Sequence, residues 1–505
     1  MLKIFKSKIR LITLVVLLMG CAEESFLDQP PRSNLTIDNF FNNDDQLLAA
    51  GAAMYHTPWF YYNYHLLACA GDIYAGNASS TGGSFAQFRN WNLNATNDFV
   101  HEGYFSLWWV VATANTVLDN LENRLGPDVT EEGVQRVKGE AMAMRAIAYF
   151  QLVQLFGDIP ILDANMEDYA ANTLLPKNPV ADVYQFIIQD LSAASEMLPS
   201  SRQENGRLSE QVANAFLAKV HLTLGNHNEA LTLLDEVISS GQFALLPEYG
   251  NLYKEEFDNN SESVFALQWV ACQGWGQGNT TQAWTAPFGE NITTVGDGWG
   301  SYKPSQDLID AYEEGDGRKY HTIMENGNYY PDLKSEEGGY TYNGTVPHFR
   351  KYVSGSPAEG NVCFMSTGNN TYLMRYADVL LMHAEAILGT NGVTTDAAAL
   401  ASFNQVRERA GLEAKTSITK ADLLHERRVE FAYEGQYFFD LKRLMDKDRA
   451  KSILLAQQRG TIENPYQLAS INDSQFILPI PQADVDKNPM LAPDEAPVPY
   501  DFGNQ

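Results

Sequence analysis

Three clusters of aromatic residues carry the chemistry that can be read from this chain. The first is Trp59-Phe60-Tyr61-Tyr62-Asn63-Tyr64, just after Pro58, with Trp59 and Tyr61 as its ligand candidates. The second is Asn90-Trp91-Asn92-Leu93-Asn94, after a Gly- and Ser-rich loop at 76–83. The third comprises Trp275, Trp284, Trp299 and Tyr302, set among the glycines between Gly274 and Gly300. A sugar ring has an apolar C–H face and a hydroxyl rim. Flat indole and phenol rings cover the face and amides or carboxylates bond the rim, as in any mostly apolar site with a few placed polar groups. The same rings also make good core, so each has two readings: ligand contact, or packing of a loop onto its scaffold.

Catalysis leaves no comparable mark. HExxH, GxSxG, Walker and GxGxxG patterns are absent. Gly274-Trp275-Gly276-Gln277-Gly278 is only superficially similar to a dinucleotide fingerprint, with no strand–helix frame around it. His383 and Glu385 fall nearly opposite one another on a helix and make no metal pair, so His383 is expected to be structural. Residues 258–262 are rich in oxygen ligands but lack the glycine of a calcium loop. No cofactor or metal is expected. Carboxylates are abundant, so a glycosidase pair stays open as an alternative, although nothing marks two of them out.

The rings need a frame, and the periodicity supplies a helical one. Helices are predicted at 44–55, 104–125, 138–156, 180–198, 209–224, 229–240, 372–388 and 397–410. Gly157-Asp158-Ile159-Pro160 stops the third of these. Trp108 and Trp109 in the second are expected to pack in a core. Ala213, Ala218, Leu224, Gly225 and Ala230 are placed where paired helices approach closely. The pattern is that of a tetratricopeptide-like superhelix. Residues 251–371 differ: rich in Gly, Asn, Thr, Tyr and Trp, with one alternating stretch at 263–270 that reads as a strand. A stretch this long without helix is usually functional, and its aromatics argue against disorder. The fold class is therefore mainly α, with a loop-rich ligand-binding face.

One segment, 424–444, is read as a single helix. Val429, Tyr433, Tyr437 and Leu441 recur every four residues and Leu444 extends the stripe. Arg427, Arg428, Glu430, Glu434, Asp440, Lys442 and Arg443 sit at spacings that allow ion pairs along it. The reading is a buried amphipathic helix with a charged network. Gly435 inside it costs about 1 kcal/mol against Ala, which suggests close approach of another backbone.

Composition narrows the partners. Apolar residues at 45% and charged residues at 19% are ordinary for a globular chain. The formal net charge of −28 disfavours nucleic acid and anionic lipid. Lys3, Lys6, Lys8 and Arg10 precede a short apolar run at 11–19, too short to span a bilayer, which ends in Leu18-Met19-Gly20-Cys21. This looks like a lipoprotein signal peptide at 1–20, with Cys21 acylated. With Cys21 lipidated, Cys69, Cys272 and Cys363 remain and cannot all pair. Cys69 is expected to be a buried apolar residue, and a Cys272–Cys363 bond is left open.

Several motifs then converge. Glu426, Arg427, Arg428, Glu430, Glu434, Gly435, Asp440, Leu441 and Arg443 spell ERR-x-E…EG…DL-x-R. Residues 139–160 hold GEA…RA…YF…GD-x-P. Arg375-Tyr376-Ala377-Asp378, Ala384-Glu385-Ala386, Asn404, Arg407, Arg409 and the tail at 476–491 complete the series, with Asp378 where Glu is usual. Together they resemble the SusD/RagB family. The resemblance implies a tether at 21–40, whose Glu23 and Glu24 resemble a surface-export signal. It implies an N-terminal helical domain at 41–250 and a second domain at 251–505, the latter with a ligand module at 251–371 and C-terminal helices and tail at 372–505. It further implies a non-catalytic outer-membrane lipoprotein facing the cell exterior. Such a protein captures a glycan as the lid of a SusC-like TonB-dependent transporter. Trp91 and Asn94 have the spacing of a Trp–Asn pair that contributes to the site in starch-binding members. RagB-like members bind peptides, which is the alternative ligand within the same fold.

Overall fold

A computed structural model describes residues 41–163, 173–203, 206–292, 298–353 and 366–503. The expectations for the signal peptide, Cys21 and Cys363 lie outside the described residues. The chain is 52% helix with only short strands, which makes it mainly α. Helix α1 is Asp44–Ala52, α2 Gly83–Arg89, α3 Asp98–Asn123, α4 Glu131–Phe156, α5 Val180–Met197, α6 Glu210–Thr223 and α7 His227–Ser239. From α3 to α7 each helix packs on the next. Helix α8 (Tyr376–Leu388) then packs on α7, and α9 (Ala397–Arg409) on α8, so the superhelix continues across the loop-rich insertion. Among the described residues no helix is long and apolar enough to cross a membrane.

Local chemistry sets the helix ends. Thr130 Oγ1 accepts the Gly133 N–H at 3.0 Å to start α4, and Gly157, at φ 73°, ends it. Asn97 and Asp396 cap α3 and α9 in the same way. Burial then joins helices through a few charged clamps. Arg145 of α4 makes a bidentate pair with Asp190 of α5 at 2.8 Å and reaches Asn115 of α3 at 2.7 Å. Ala213, Ala218 and Ala230 are buried in the α6–α7 contact, whereas Leu224 is 41% exposed because it falls in the turn. The main hydrophobic cluster runs from Phe41 to Leu478 and draws on both sides of residue 250.

The segment 424–444 is two helices, not one: α10 (Lys420–Glu430) and α11 (Tyr437–Leu444). The break has a definite cause. Tyr433 and Gly435 have positive φ, 66° and 72°. The Asp72 carboxylate accepts the N–H of Tyr433 at 3.0 Å and of Gly435 at 2.8 Å. Gly71 lies against Gly435 so closely that a Cβ on Gly71 would stand 2.2 Å from the Gly435 backbone. The close backbone approach expected at Gly435 is present, and it breaks the helix. The charges also differ from expectation. Most pair across elements rather than along a helix: Arg427 with Asp378 and Asp440, Arg375 with Glu262, Glu430 and Glu434, Arg318 with Glu426 and Glu430. Strand β1 (Ser263–Leu267) is shorter than predicted and pairs antiparallel with β2 (Thr371–Arg375), which takes the residues read as the first turn of α8.

Candidate functional site

Two of the three aromatic clusters meet. After Pro58 the chain winds into π-helical turns at Tyr62–Leu66 and Cys69–Ile73, a wide winding often found at functional positions. Phe60 and Tyr64 stack there, ring centroids 5.3 Å apart and 12° from parallel. Trp275 stands edge-on to both, at 5.3 Å from Phe60 and 5.1 Å from Tyr64. Tyr64 continues to Trp284 at 5.1 Å, and Trp284 to Trp299 at 4.6 Å. The outer rings remain open: Trp275 is 49% exposed and Trp299 37%. Tyr61, half-buried, touches Phe60 at 5.2 Å. The result is an exposed aromatic face on a buried aromatic base.

Backbone constraints fix this face. Trp299, Gly300 and Ser301 donate to the carbonyls of Ala283, Ala286 and Trp284 in and beside the short helix Thr281–Thr285. Gly298 is required, since a Cβ there would lie 2.0 Å from the Ala286 carbonyl oxygen. Cys272, three residues before Trp275, is disulfide-bonded, while Cys69 is free and buried as expected. The partner of Cys272 lies outside the described residues. The Trp284 indole N–H is buried without an acceptor among the described residues.

Polar groups rim the base. His65 Nδ1 meets Glu102 Oε2 at 2.6 Å, and its ring stacks on Phe99 at 3.8 Å. Burial lowers the His65 pKa more than Glu102 raises it, so the ring is neutral at pH 7. Thr57 and Gln277 meet beside the base at 3.4 Å.

Several predicted ligand residues are core. Trp91 has φ 54°, which lays its ring flat on Tyr74 at 4.1 Å and 8°; its indole N–H donates to the Tyr74 carbonyl at 2.6 Å. Phe438 and Phe476 close over it, leaving Trp91 2% exposed. Asn94 is exposed, but its side chain accepts from Thr96 and closes a turn. Trp59 is fully buried, its N–H on the Met54 carbonyl. Tyr302 lies beneath Trp284, and its hydroxyl meets that of Tyr433 at 2.8 Å.

The described residues also contain a Ser–His–Asp chain, Ser402–His383–Asp235, at 2.8 and 3.1 Å. Ser402 and His383 are buried between helices α7, α8 and α9, so the chain ties helices together, the structural role expected of His383. Among the described residues no group of acids, histidines and cysteines could hold a metal ion.

The SusD family model matches residues 261–494, and a model described as starch-binding, associating with the outer membrane, matches 25–222. A SusD-like protein of Bacteroides ovatus is 33% identical over 545 residues, spanning 98% of this chain and 99% of its own. The chain belongs to the SusD family. A SusD-like protein of Formosa agariphila, P2, is 29% identical over 87% of this chain and 90% of its own. Among solved structures, one described as being with a xylogluco-oligosaccharide superposes with TM-score 0.82 at 31% identity, covering 90% of this chain and 99% of that one. A laminarin-binding SusD-like protein gives 0.72 at 26%, covering 89% and 98%.

Proposed function

We propose that this protein is a non-catalytic glycan-binding lipoprotein of the cell surface, and that its binding face is built on Trp275 and Trp299 with Tyr61, Tyr64 and Trp284 beside them. The observation that carries the reading is a pair of half-exposed indoles packed edge-on against buried Phe60 and half-buried Tyr64 and Trp284. Rigid exposed rings lose little conformational freedom when a sugar stacks on them. The oligosaccharide and laminarin named for similar structures support a neutral glycan as ligand. Acylation at Cys21 anchors the chain, and the description of the family model matching residues 25–222 supports association with the outer membrane. A SusC-like TonB-dependent transporter receives the glycan beneath it.

Calorimetric titration against neutral glucans, mannans and xylans, uronate oligomers and a peptide mixture tests the ligand. Heat with one neutral glycan class, lost in the Trp275→Ala and Trp299→Ala variants, is expected. Heat with peptides alone would replace this reading by the peptide-binding one. Release of reducing ends would replace it by an enzyme. Cys21→Ala is expected to leave the membrane fraction, and retained lipid labelling would defeat the anchor.

A further inference from the structure

Helix α3 presents an exposed stripe that the scaffold leaves uncovered. Phe105 is 52% exposed and Trp109 37%, and their rings lie 5.9 Å apart at 44°. Trp109 was expected to pack in the core. Its neighbour Trp108 does so against Tyr104 and Tyr149, while Trp109 points outward. Glu102, Phe105, Trp109, Thr113 and Thr116 recur at spacings of three and four and so share one face. Residues 103–118 contain no Asp, Glu, Lys or Arg, on a chain of net charge −28. The hydroxyls of Thr113 and Thr116 each donate to a carbonyl four residues back, at 2.8 Å, which leaves their oxygens able to accept.

Contacts tie the helix that bears the stripe to the aromatic face. Glu102 holds His65, whose ring lies 5.2 Å from Trp284. Ser106 donates to the Pro58 carbonyl at 2.5 Å, and the adjacent Thr57 meets Gln277, two residues past Trp275, at 3.4 Å. From Glu102 to Trp109 the helix rises about 10 Å, the length of a short run of sugars. We infer that Phe105 and Trp109 form a second, distal subsite for the same ligand, so that the protein takes an extended neutral glycan running from Trp299 and Trp275 onto α3. Two stacking rings with hydroxyl acceptors beside them, on a stretch of helix that carries no charged residue from Gly103 to Leu118, match an uncharged chain of sugars. The stretch offers a uronate no cation, and Glu102 at its head would repel one.

This inference rests on the aromatic face being a glycan site, and its test separates the two. The purified full-length protein is titrated with neutral β-linked glucan oligosaccharides of graded length. The Phe105→Ala/Trp109→Ala double variant is expected to lose about tenfold in affinity for long oligosaccharides and to keep that for short ones. Trp275→Ala/Trp299→Ala is expected to lose both. In a second measurement on the unmutated stripe, tryptophan is labelled with fluorine and the Trp109 resonance assigned by Trp109→Phe. Long oligosaccharides are expected to shift that resonance and short ones to leave it in place. Equal affinity of the double variant for long chains, or a Trp109 resonance indifferent to them, overturns the distal subsite while the aromatic face stands. Loss of transporter co-purification in the double variant with glycan affinity intact assigns the stripe to a protein partner and overturns it too. A protein that binds no member of the series defeats both readings.

Discussion

The segment around Arg427 and the loops around Trp275 invert the usual distribution of residue types. The first is among the most charged parts of the chain, yet Glu426, Arg427 and Glu430 are completely buried. The second is among the most aromatic, yet Trp275 and Trp299 stand in solvent. In each case the reason is partners. Every buried guanidinium in the first region has carboxylates from other elements within ion-pair distance, which offsets the cost of taking charge out of water. The exposed indoles have Phe60, Tyr64 and Trp284 on one side and stay open on the other. What this teaches is that burial follows from what a side chain meets in three dimensions, and that polarity alone does not decide it.

The comparison can be broken most forcefully at the charged region. Arg427→Ala takes one of two cations from both Asp378, which keeps Lys219, and Asp440, which keeps Arg443, and is expected to cost about 3–5 kcal/mol, read by denaturant unfolding. A loss comparable to that of a surface substitution would mean that the network is not holding the fold. The same size of loss, about 3–5 kcal/mol, is expected of Trp91→Ala, because Trp91 is core. If Trp91→Ala instead lost glycan binding at full stability, the assignment of that ring to the scaffold would fail.

Acid separates the two regions in a second way. Burial raises the pKa of Asp378 and Glu434, but Arg427 and Lys219 at the one, and Arg375 and Lys351 at the other, more than offset it, so both are lowered. A carboxylate whose folded pKa lies below its unfolded value contributes stability that is complete above the unfolded value, about 4, and lost as pH falls through the folded one. Stability is expected to decline below about pH 4 for this reason, as a thermal melt series would show. Glycan affinity is expected to be level between about pH 7 and 8, since His65 is already neutral there.

Smaller effects sharpen the binding side. Trp275→Ala is expected to lose about tenfold in glycan affinity with an unchanged melting temperature. A drop in melting temperature of several degrees would recast Trp275 as packing. Asn94→Ala, at an exposed turn, is expected to stay within about 0.5 kcal/mol in stability and to bind normally. A clear loss of binding would return Asn94 to the site.

Much of the scaffold was legible because its signals are local or repeated. Helices α3 to α9 follow from 3.6-residue periodicity and end at Gly157 and Gly225 for reasons of backbone geometry. Arg145 belongs to the motif at 139–160, and the fold joins it to Asn115 and Asp190 in one clamp. Gly435 was legible as a place of close approach. That the partner is Gly71, held by Asp72 more than 350 residues away, was not. The aromatic face was legible as a composition and only partly as a list.

The sequence by itself determined the family, the helical class and the location of aromatic loops, because periodicity, breakers and motifs act over a few residues. Tertiary structure alone decided which rings are free. Trp59, Trp91 and Tyr302 have the same chemistry as Trp275 and Trp299. They differ in whether distant segments, such as Phe438 and Phe476 over Trp91, arrive to cover them. Covering a ring removes apolar area from water and completes its N–H or O–H bond, and that depends on neighbours brought together by the fold, not on position along the chain.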